Sequence, residues 1–150
     1  MNDQVQPTVK VLKLHPAAEL PTYAGPGAAG ADLRACLTEN MVIPPQSRAL
    51  VPTGLSIELP DGYEAQVRPR SGLAFKYGVS VLNAPGTIDA DYRGELKVLL
   101  INLGSQTYTI APGERIAQLV VAPVARSLFQ EAVRLSPTER GAGGFGSTGI

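Results

Sequence analysis

One hundred and fifty residues make a single domain the default, long enough to bury roughly 70% of the surface its unfolded chain exposes. Apolar residues at 44% against charged residues at 17% exclude wholesale disorder. Thirteen basic residues balanced by thirteen acidic ones exclude the basic excess of a non-specific nucleic-acid binder, though not a small anion held by a few local arginines.

Sixteen Gly and thirteen Pro favour many turns and short strands over long helices. In chain order, residues 9–14, 33–37 and 50–51 read as short strands. Residues 55–59 alternate apolar and polar side chains, Pro60-Asp61-Gly62 supplies a turn, and residues 63–68 alternate again, which predicts a hairpin. Residues 71–77, SGLAFKY, predict the one short helix, with Ser71 as a possible N-cap. Strands follow at 79–82, 96–103, 108–110 and 116–121. The runs at 96–103 and 116–121 are apolar almost throughout, which predicts burial on both faces, or on one face with another subunit over the other. Turn signals every eight to twelve residues suit a β-sandwich or barrel. From Ser136 the texture changes to SPTERGAGGFGSTGI, costly to order and poor at packing a core. It reads either as a frayed terminus or as an arm that orders over a ligand, with Arg140 suited to an anion and Phe145 to a planar ring.

Polar islands interrupt this frame. Arg68-Pro69-Arg70-Ser71-Gly72 ends a strand and opens the helix, so amides, a hydroxyl and guanidinium groups offer a phosphate receptor; plain helix capping is the alternative. The densest island is Asn83-Ala84-Pro85-Gly86-Thr87-Ile88-Asp89-Ala90-Asp91-Tyr92-Arg93-Gly94-Glu95, richer in chemistry than a surface loop requires. Asn83 has the donor and acceptor to read a nucleobase edge, and Tyr92 can lay a flat face against a sugar. Asp89 is the candidate base that orients a water and takes its proton. Asp91 can do the same on this evidence, or pair with an arginine such as Arg93; extended backbone would point residues 89 and 91 to opposite faces. Asp32 can hold water around a metal or pair with Arg34 or another basic group. Gln118, an amide inside an apolar run, needs a phosphate or a backbone partner.

Other features carry less. His15, the only histidine, reads as a surface residue before Pro16, and Cys36, the only cysteine, as a core thiol; an intrachain disulfide and a thiolate zinc cluster are excluded. Residues 141–146 satisfy GxGxxG without a βαβ unit to follow, and GAGGFGST lacks the lysine of a P-loop. The N-terminal MNDQVQPTVKV has no apolar signal core, and no apolar run approaches the roughly 20 residues of a membrane span, so a cytoplasmic protein without membrane partners is expected.

Five blocks in order, AGADL at 29–33, PRSGLA at 69–74, NAPGTIDADYRGE at 83–95, GERIAQL at 113–119 and RGAGGFGSTG at 140–149, resemble the five motifs of the trimeric dUTPases, the deoxyuridine 5′-triphosphate nucleotidohydrolases. The resemblance covers most of the chain from residue 29 onward. It implies an all-β fold, a distorted jelly-roll or β-clip barrel with one short helix and a flexible glycine-rich C-terminal arm, divided as a β-domain at 1–135 and an arm at 136–150. It implies a homotrimer with active sites shared between subunits, and hydrolysis of dUTP to dUMP and pyrophosphate with Mg²⁺ carried on the triphosphate. Asp89 matches the family's water-activating residue. Arg70, Ser71, Gly72 and Gln118 match its phosphate contacts, and Asp32 the acid that meets the metal through water. Asn83 and adjacent main chain would read uracil, Tyr92 would lie against deoxyribose and reject ribose, and Thr87, Ile88 and Lys97 join the substrate contacts. Arg140 would meet the γ-phosphate, Phe145 would stack over uracil, and Ser147 and Thr148 would clamp the phosphates. Two rivals are kept: a dCTP deaminase of the same broad fold, separated by ammonia release from dCTP, and a non-catalytic nucleotide sensor, separated by binding of dUTP without hydrolysis.

Overall fold

In the computed structural model, which describes residues 6–149, eleven strands and one helix follow one another along the chain. Residues 1–5, the first part of the stretch read against a secretory signal, and Ile150 lie outside the described residues. The strands are β1 (Lys10–Lys13), β2 (Thr22–Tyr23), β3 (Ala31–Arg34), β4 (Met41–Ile43), β5 (Arg48–Glu58) and β6 (Tyr63–Arg68). The helix α1 (Ser71–Tyr77) comes next, then β7 (Val79–Val81), β8 (Gly86–Ile88), β9 (Glu95–Asn102), β10 (Tyr108–Ile110) and β11 (Arg115–Pro123). All pairings are antiparallel, in a four-stranded sheet β1-β5-β9-β7, a five-stranded sheet β2-β3-β11-β6-β8 and a small pair β10-β4. This is the jelly-roll-like β fold that the motifs imply.

The core forms where the inward rows of the two large sheets meet. Val51, Ile57, Val98 and Leu100 from one sheet pack with Leu33, Ala65, Val67 and Leu119 from the other. Each such side chain stabilises the fold by roughly 1.5–3 kcal/mol before the entropy cost of ordering. Asn102 is fully buried yet satisfied: Nδ2 donates to Ile43 O (2.9 Å) and Gln106 O (2.7 Å), and Oδ1 accepts from Gly104 N (2.9 Å). It ties the end of β9 to β4.

Several expectations are corrected or narrowed. The stretches at 50–51 and 55–59 are one strand, β5, carried across Pro52 by a register shift between Pro52 and Ser56, with Gly54 at φ 68°. The expected hairpin does not form. β5 pairs with β1 and β9, whereas β6 pairs with β11 and β8, so Pro60-Asp61-Gly62 carries the chain from one sheet to the other. Alternation reports that one face is buried; it says nothing about which strand lies alongside. The strand expected at 33–37 starts earlier, at Ala31, where it faces Leu119 of β11. Residues 83–95 are not all loop, because β8 adds a strand to β6 there. Of the two readings of the apolar runs, burial on both faces within one chain is not met, which leaves the one-face reading: β9 turns Leu96, Val98 and Leu100 inward and leaves Leu99 and Ile101 half-buried outside, and Val120 and Val121 of β11 are half-buried too. The helix is where SGLAFKY predicts, but its N-cap is Arg70, without a side-chain capping bond, and not Ser71. Gly78 closes it in the left-handed conformation at φ 69°.

After β11 the described residues form no helix or strand, and every residue from Pro123 to Ala142 is exposed. Leu128, Phe129, Val133 and Leu135 each stand at least 87% exposed, an unusual state for large apolar side chains.

Candidate active site

β8 ends at Ile88 and the chain folds back through a turn closed by Tyr92 N donating to Asp89 O at 3.2 Å. This turn and the facing ends of β5 and β9 line a cleft of about 450 Å³ built from Leu50, Thr87, Ile88, Asp89, Tyr92, Glu95, Leu96 and Lys97. Asp89 is exposed, and among the described residues its carboxylate has neither an ion-pair partner nor a hydrogen-bond donor. Its oxygens are therefore available to a water. Asp89 also borders a second cleft with Asp61, Glu64, Asp91, Arg93 and Arg126; Asp91 lines only that second one. Asp91 does not pair with Arg93, whose guanidinium meets Glu58 at 3.5 Å.

Tyr92 stands over Gly94, its hydroxyl donating to Glu95 O at 2.9 Å. A Cβ on Gly94 would come within 2.6 Å of the ring, so the absence of a side chain there lets the tyrosine lie as it does. Asn83 is exposed at the other end of β8, its Nδ2 about 3.4 Å from where a Cβ on Gly86 would stand.

A second group forms where β3, β11 and the start of α1 meet. Asp32, buried on β3, faces two guanidinium groups: Arg70 Nε at 3.6 Å from Oδ1 and Arg115 Nη1 at 3.4 Å from Oδ2. Arg70 also donates to Arg115 O at 3.3 Å. Gln118 lies opposite Asp32 in the β11–β3 register and donates to Pro69 O at 3.4 Å, so its amide finds a backbone partner. Gly30 leaves room for it, since a Cβ there would stand 2.9 Å from Gln118 Cβ. Ser71 and Gly72 are exposed beside this group, and amides of a helix's first turn lack intrahelical acceptors. Arg34, the alternative partner for Asp32, pairs instead with Glu19 at 3.3 Å. Arg68 is bound to Gln66 and stands outside the cluster. Tyr108 braces the neighbouring turn: its hydroxyl donates to Glu114, whose other oxygen accepts from Ala111 N at 2.9 Å. Burial first, and then that carboxylate, push the Tyr108 phenol well above its ordinary range.

Arg115 is the residue that sequence reasoning left without a role. It stood within the GERIAQL block, but only the β3–β11 pairing brings it to Asp32.

No residue of the Asp32 group lines the Asp89 cleft. Register explains the separation. Gln118 faces Arg68 on β6, while Ile88 on β8 faces Ala65, which sets Asp89 level with Glu64. Four residues of strand, from 68 back to 64, amount to about 13 Å at ~3.3 Å per residue. The arm residues stand apart as well: among the described residues Arg140 donates only to Gly143 O, at 2.8 Å, Ser147 and Thr148 are exposed, and Phe145 is fully exposed.

The His15 ring accepts from Ala17 N at 3.1 Å in an exposed turn, as a surface histidine should. Cys36 is half-buried rather than fully in the core, with Sγ against Gly54.

Against known proteins, the family model described as dUTPase matches residues 17–149. The chain belongs to the dUTPase family. It is thereby a hydrolase, a dUTP diphosphatase, and the family reaction is conversion of dUTP to dUMP and pyrophosphate. The deaminase and sensor readings fall away with that assignment. The deoxyuridine 5′-triphosphate nucleotidohydrolase of Rhizobium etli (strain CIAT 652) is 53% identical, over 100% of this chain and 99% of the relative. That of Treponema denticola is 59% identical, over 92% and 96%. Among solved dUTPases, that of Staphylococcus bacteriophage 80alpha with dUpNHpp superposes with a TM-score of 0.83 at 29% identity, over 95% of this chain and 99% of the other. A mutant dUTPase from phage phi11 of S. aureus, whose structure reveals the coordination of a structural Mg(II) ion, gives 0.76 at 25% identity, over 85% and 97%.

Proposed function

We propose that Asp89 activates the water that attacks the α-phosphorus of dUTP, in a site that one chain of this dUTPase begins and other copies complete. The observation that carries this reading is the unpaired Asp89 carboxylate in the cleft formed by Thr87, Ile88, Tyr92 and Lys97. Asp89 rather than Asp91 takes the role, because Asp91 lies outside that cleft.

Uracil and deoxyribose enter on the β8 side: Asn83 with the backbone around Thr87 and Ile88 reads the base, and Tyr92 lies against the sugar and leaves no space for a 2′-hydroxyl. Asp89 accepts a proton from water as the water oxygen bonds to the α-phosphorus. The bond from that phosphorus to the bridging oxygen breaks, and pyrophosphate leaves with the electron pair. Arg70, Gln118 and the amides at Ser71 and Gly72 hold the phosphate oxygens. Arg140, Phe145, Ser147 and Thr148 close over the bound nucleotide and exclude bulk water.

The roughly 13 Å between the Asp89 level and the Gln118 row argues that these two groups of one chain serve different sites. A second copy then supplies Arg70 and Gln118 opposite Asp89. The outward Leu99 and Ile101, and the unpacked Leu128, Phe129, Val133 and Leu135, support association of copies, and a homotrimer closes such a head-to-tail arrangement.

Among the described residues no three His, Cys, Asp or Glu side chains converge as a metal cage. Asp32 presents one carboxylate already flanked by two guanidinium groups. That donor set would suit an Mg²⁺ ion held chiefly by the phosphates and keeping its own waters, toward which Asp32 would act as a hydrogen-bond acceptor. Bound there, the ion would offset negative charge on the leaving pyrophosphate.

Two measurements test the reading. Asp89→Asn should keep affinity for dUpNHpp while kcat falls by about 10²-fold or more; unchanged turnover removes Asp89 from the mechanism. Turnover in ¹⁸O-labelled water should place the label in dUMP, and label in pyrophosphate would move the attack away from the α-phosphorus.

A further inference from the structure

The turn that carries Asp89 and Tyr92 is held by a residue with no place in the proposed chemistry. Arg93 Nη1 donates to Ala90 O at 2.7 Å and to Tyr92 O at 3.2 Å. Its Nη2 meets Glu58 Oε1 at 3.5 Å, and the other Glu58 oxygen meets Lys10 Nζ at 3.4 Å. The backbone of the same residue is gripped separately: Ser56, buried on β5, donates its hydroxyl to Arg93 O at 2.6 Å. Ser56 stands opposite Glu95 just after the β5–β9 register shift.

An exposed Arg–Glu pair alone is worth about 0–1 kcal/mol and would need no further account. The two carbonyls change the reading. Ala90 O and Tyr92 O belong to the four-residue turn whose first member is Asp89, and one nitrogen reaches both, so the guanidinium fixes the turn's curvature. Glu58, on a strand of the four-stranded sheet, fixes the guanidinium in turn.

We propose that Arg93 is a positioning residue: with Ser56 and Glu58 it clamps the 89–92 turn to the C-terminal end of β5, and so sets the Asp89 carboxylate and the Tyr92 ring relative to the bound nucleotide. This inference rests on Asp89 as the water-activating base and Tyr92 as the sugar-facing ring. It predicts a particular signature. A loosened turn misaligns the water and the sugar-facing ring while leaving the phosphate contacts intact, so turnover and sugar discrimination suffer before affinity does.

The test compares Arg93→Met, which keeps the apolar stem and removes the donors, with Arg93→Lys, Ser56→Ala and Asp89→Asn in the full-length protein. Each is assayed for steady-state turnover of dUTP and UTP, for affinity toward dUpNHpp, and for Tm. Misplacement on the order of 1 Å costs about 10²-fold in favourable cases, so R93M should lose about 10- to 100-fold in kcat with KM for dUTP changed less than about 3-fold. Its preference for dUTP over UTP should narrow, with Tm within about 2–4 °C of the parent. R93K, which can still reach one carbonyl and Glu58, should recover part of the kcat; S56A should shift kcat the same way by a smaller factor. Unaltered kcat and discrimination in R93M, alongside an inactive D89N, overturn the proposal while sparing the Asp89 reading. Turnover retained in D89N overturns the Asp89 reading, and this proposal with it. A loss in R93M that follows Tm and is not restored in R93K assigns Arg93 to structure alone and also overturns the proposal.

Discussion

Replacing Gly94 by Ala separates catalysis from stability with a single methyl group. The backbone there is not left-handed, so alanine brings no conformational strain, and stiffening the unfolded chain should stabilise by about 0.4–1 kcal/mol. The new Cβ, however, would lie 2.6 Å from Tyr92 Cζ and 2.9 Å from Cε2. Ordinary carbon contacts lie at about 3.5–4.0 Å, so the ring must withdraw by about 1 Å. Withdrawal also breaks the Tyr92 hydroxyl bond to Glu95 O, worth about 0.5–1.5 kcal/mol net, which roughly cancels the gain. Fold stability should therefore change by less than about 1 kcal/mol. Activity should not be spared. A ring displaced by about 1 Å in a positioned site lowers kcat/KM for dUTP by up to about 10²-fold. Close-fitting pockets reject an added hydroxyl by about 10²-fold, and the preference over UTP should erode toward parity from that scale. The assay is pyrophosphate release from dUTP and UTP, paired with urea denaturation. Wild-type kinetics in G94A with unchanged stability would refute the placement of Tyr92 against the sugar.

Three further substitutions probe other parts of the molecule. Gly30→Ala would set a Cβ 2.9 Å from Gln118 Cβ and push that amide off its position; one hydrogen bond to a charged oxygen is worth about 1.5–3 kcal/mol, so kcat/KM should fall about 10-fold or more in steady-state assays. Gly54→Ala meets both a φ of 68° and Cys36 Sγ and Ala18 Cβ at 2.9 Å, and should destabilise by about 2–5 kcal/mol, read as a lower urea midpoint. Tyr108→Phe tests the raised phenol. The folded protein keeps this proton at a pH where the unfolded chain, titrating near about 10, loses it, so the stabilisation is complete below that pH and is lost as pH rises above it. The parent should thus lose stability steeply above pH ~10 and Y108F less steeply, measured by denaturation from pH 8 to 11.

Much of the architecture is legible because pleating leaves a mark on the chain. The alternation at 63–68 and the apolar face of 96–103 become β6 and β9, and SGLAFKY becomes the helix. Pairing leaves no such mark. Nothing local distinguishes a Pro-Asp-Gly hairpin from a Pro-Asp-Gly crossover, and the decision falls to sheets formed by residues far away. β8 was hidden for a similar reason: three residues, Gly-Thr-Ile, carry too little pattern, and only β6 beside them makes them a strand. The candidate site divides along the same line. Its polar residues stand out because a carboxylate, an amide and a tyrosine between apolar strands are costly without a use. That Asp32 serves Arg70 and Arg115, and that Arg93 holds a turn instead of pairing with Asp91, are facts of register and could not be read from neighbours in sequence.

The division of the site between copies can be measured by mixing two inactive chains, Asp89→Asn and Arg70→Ala, under conditions that exchange subunits. If a second copy provides Arg70 opposite Asp89, random mixing in equal amounts should restore about a quarter of the parent's sites, each joining an intact Asp89 turn to an intact Arg70 group. Should the mixture stay as inactive as its components after exchange is demonstrated, both groups must act within one chain, and a site shared between copies is contradicted.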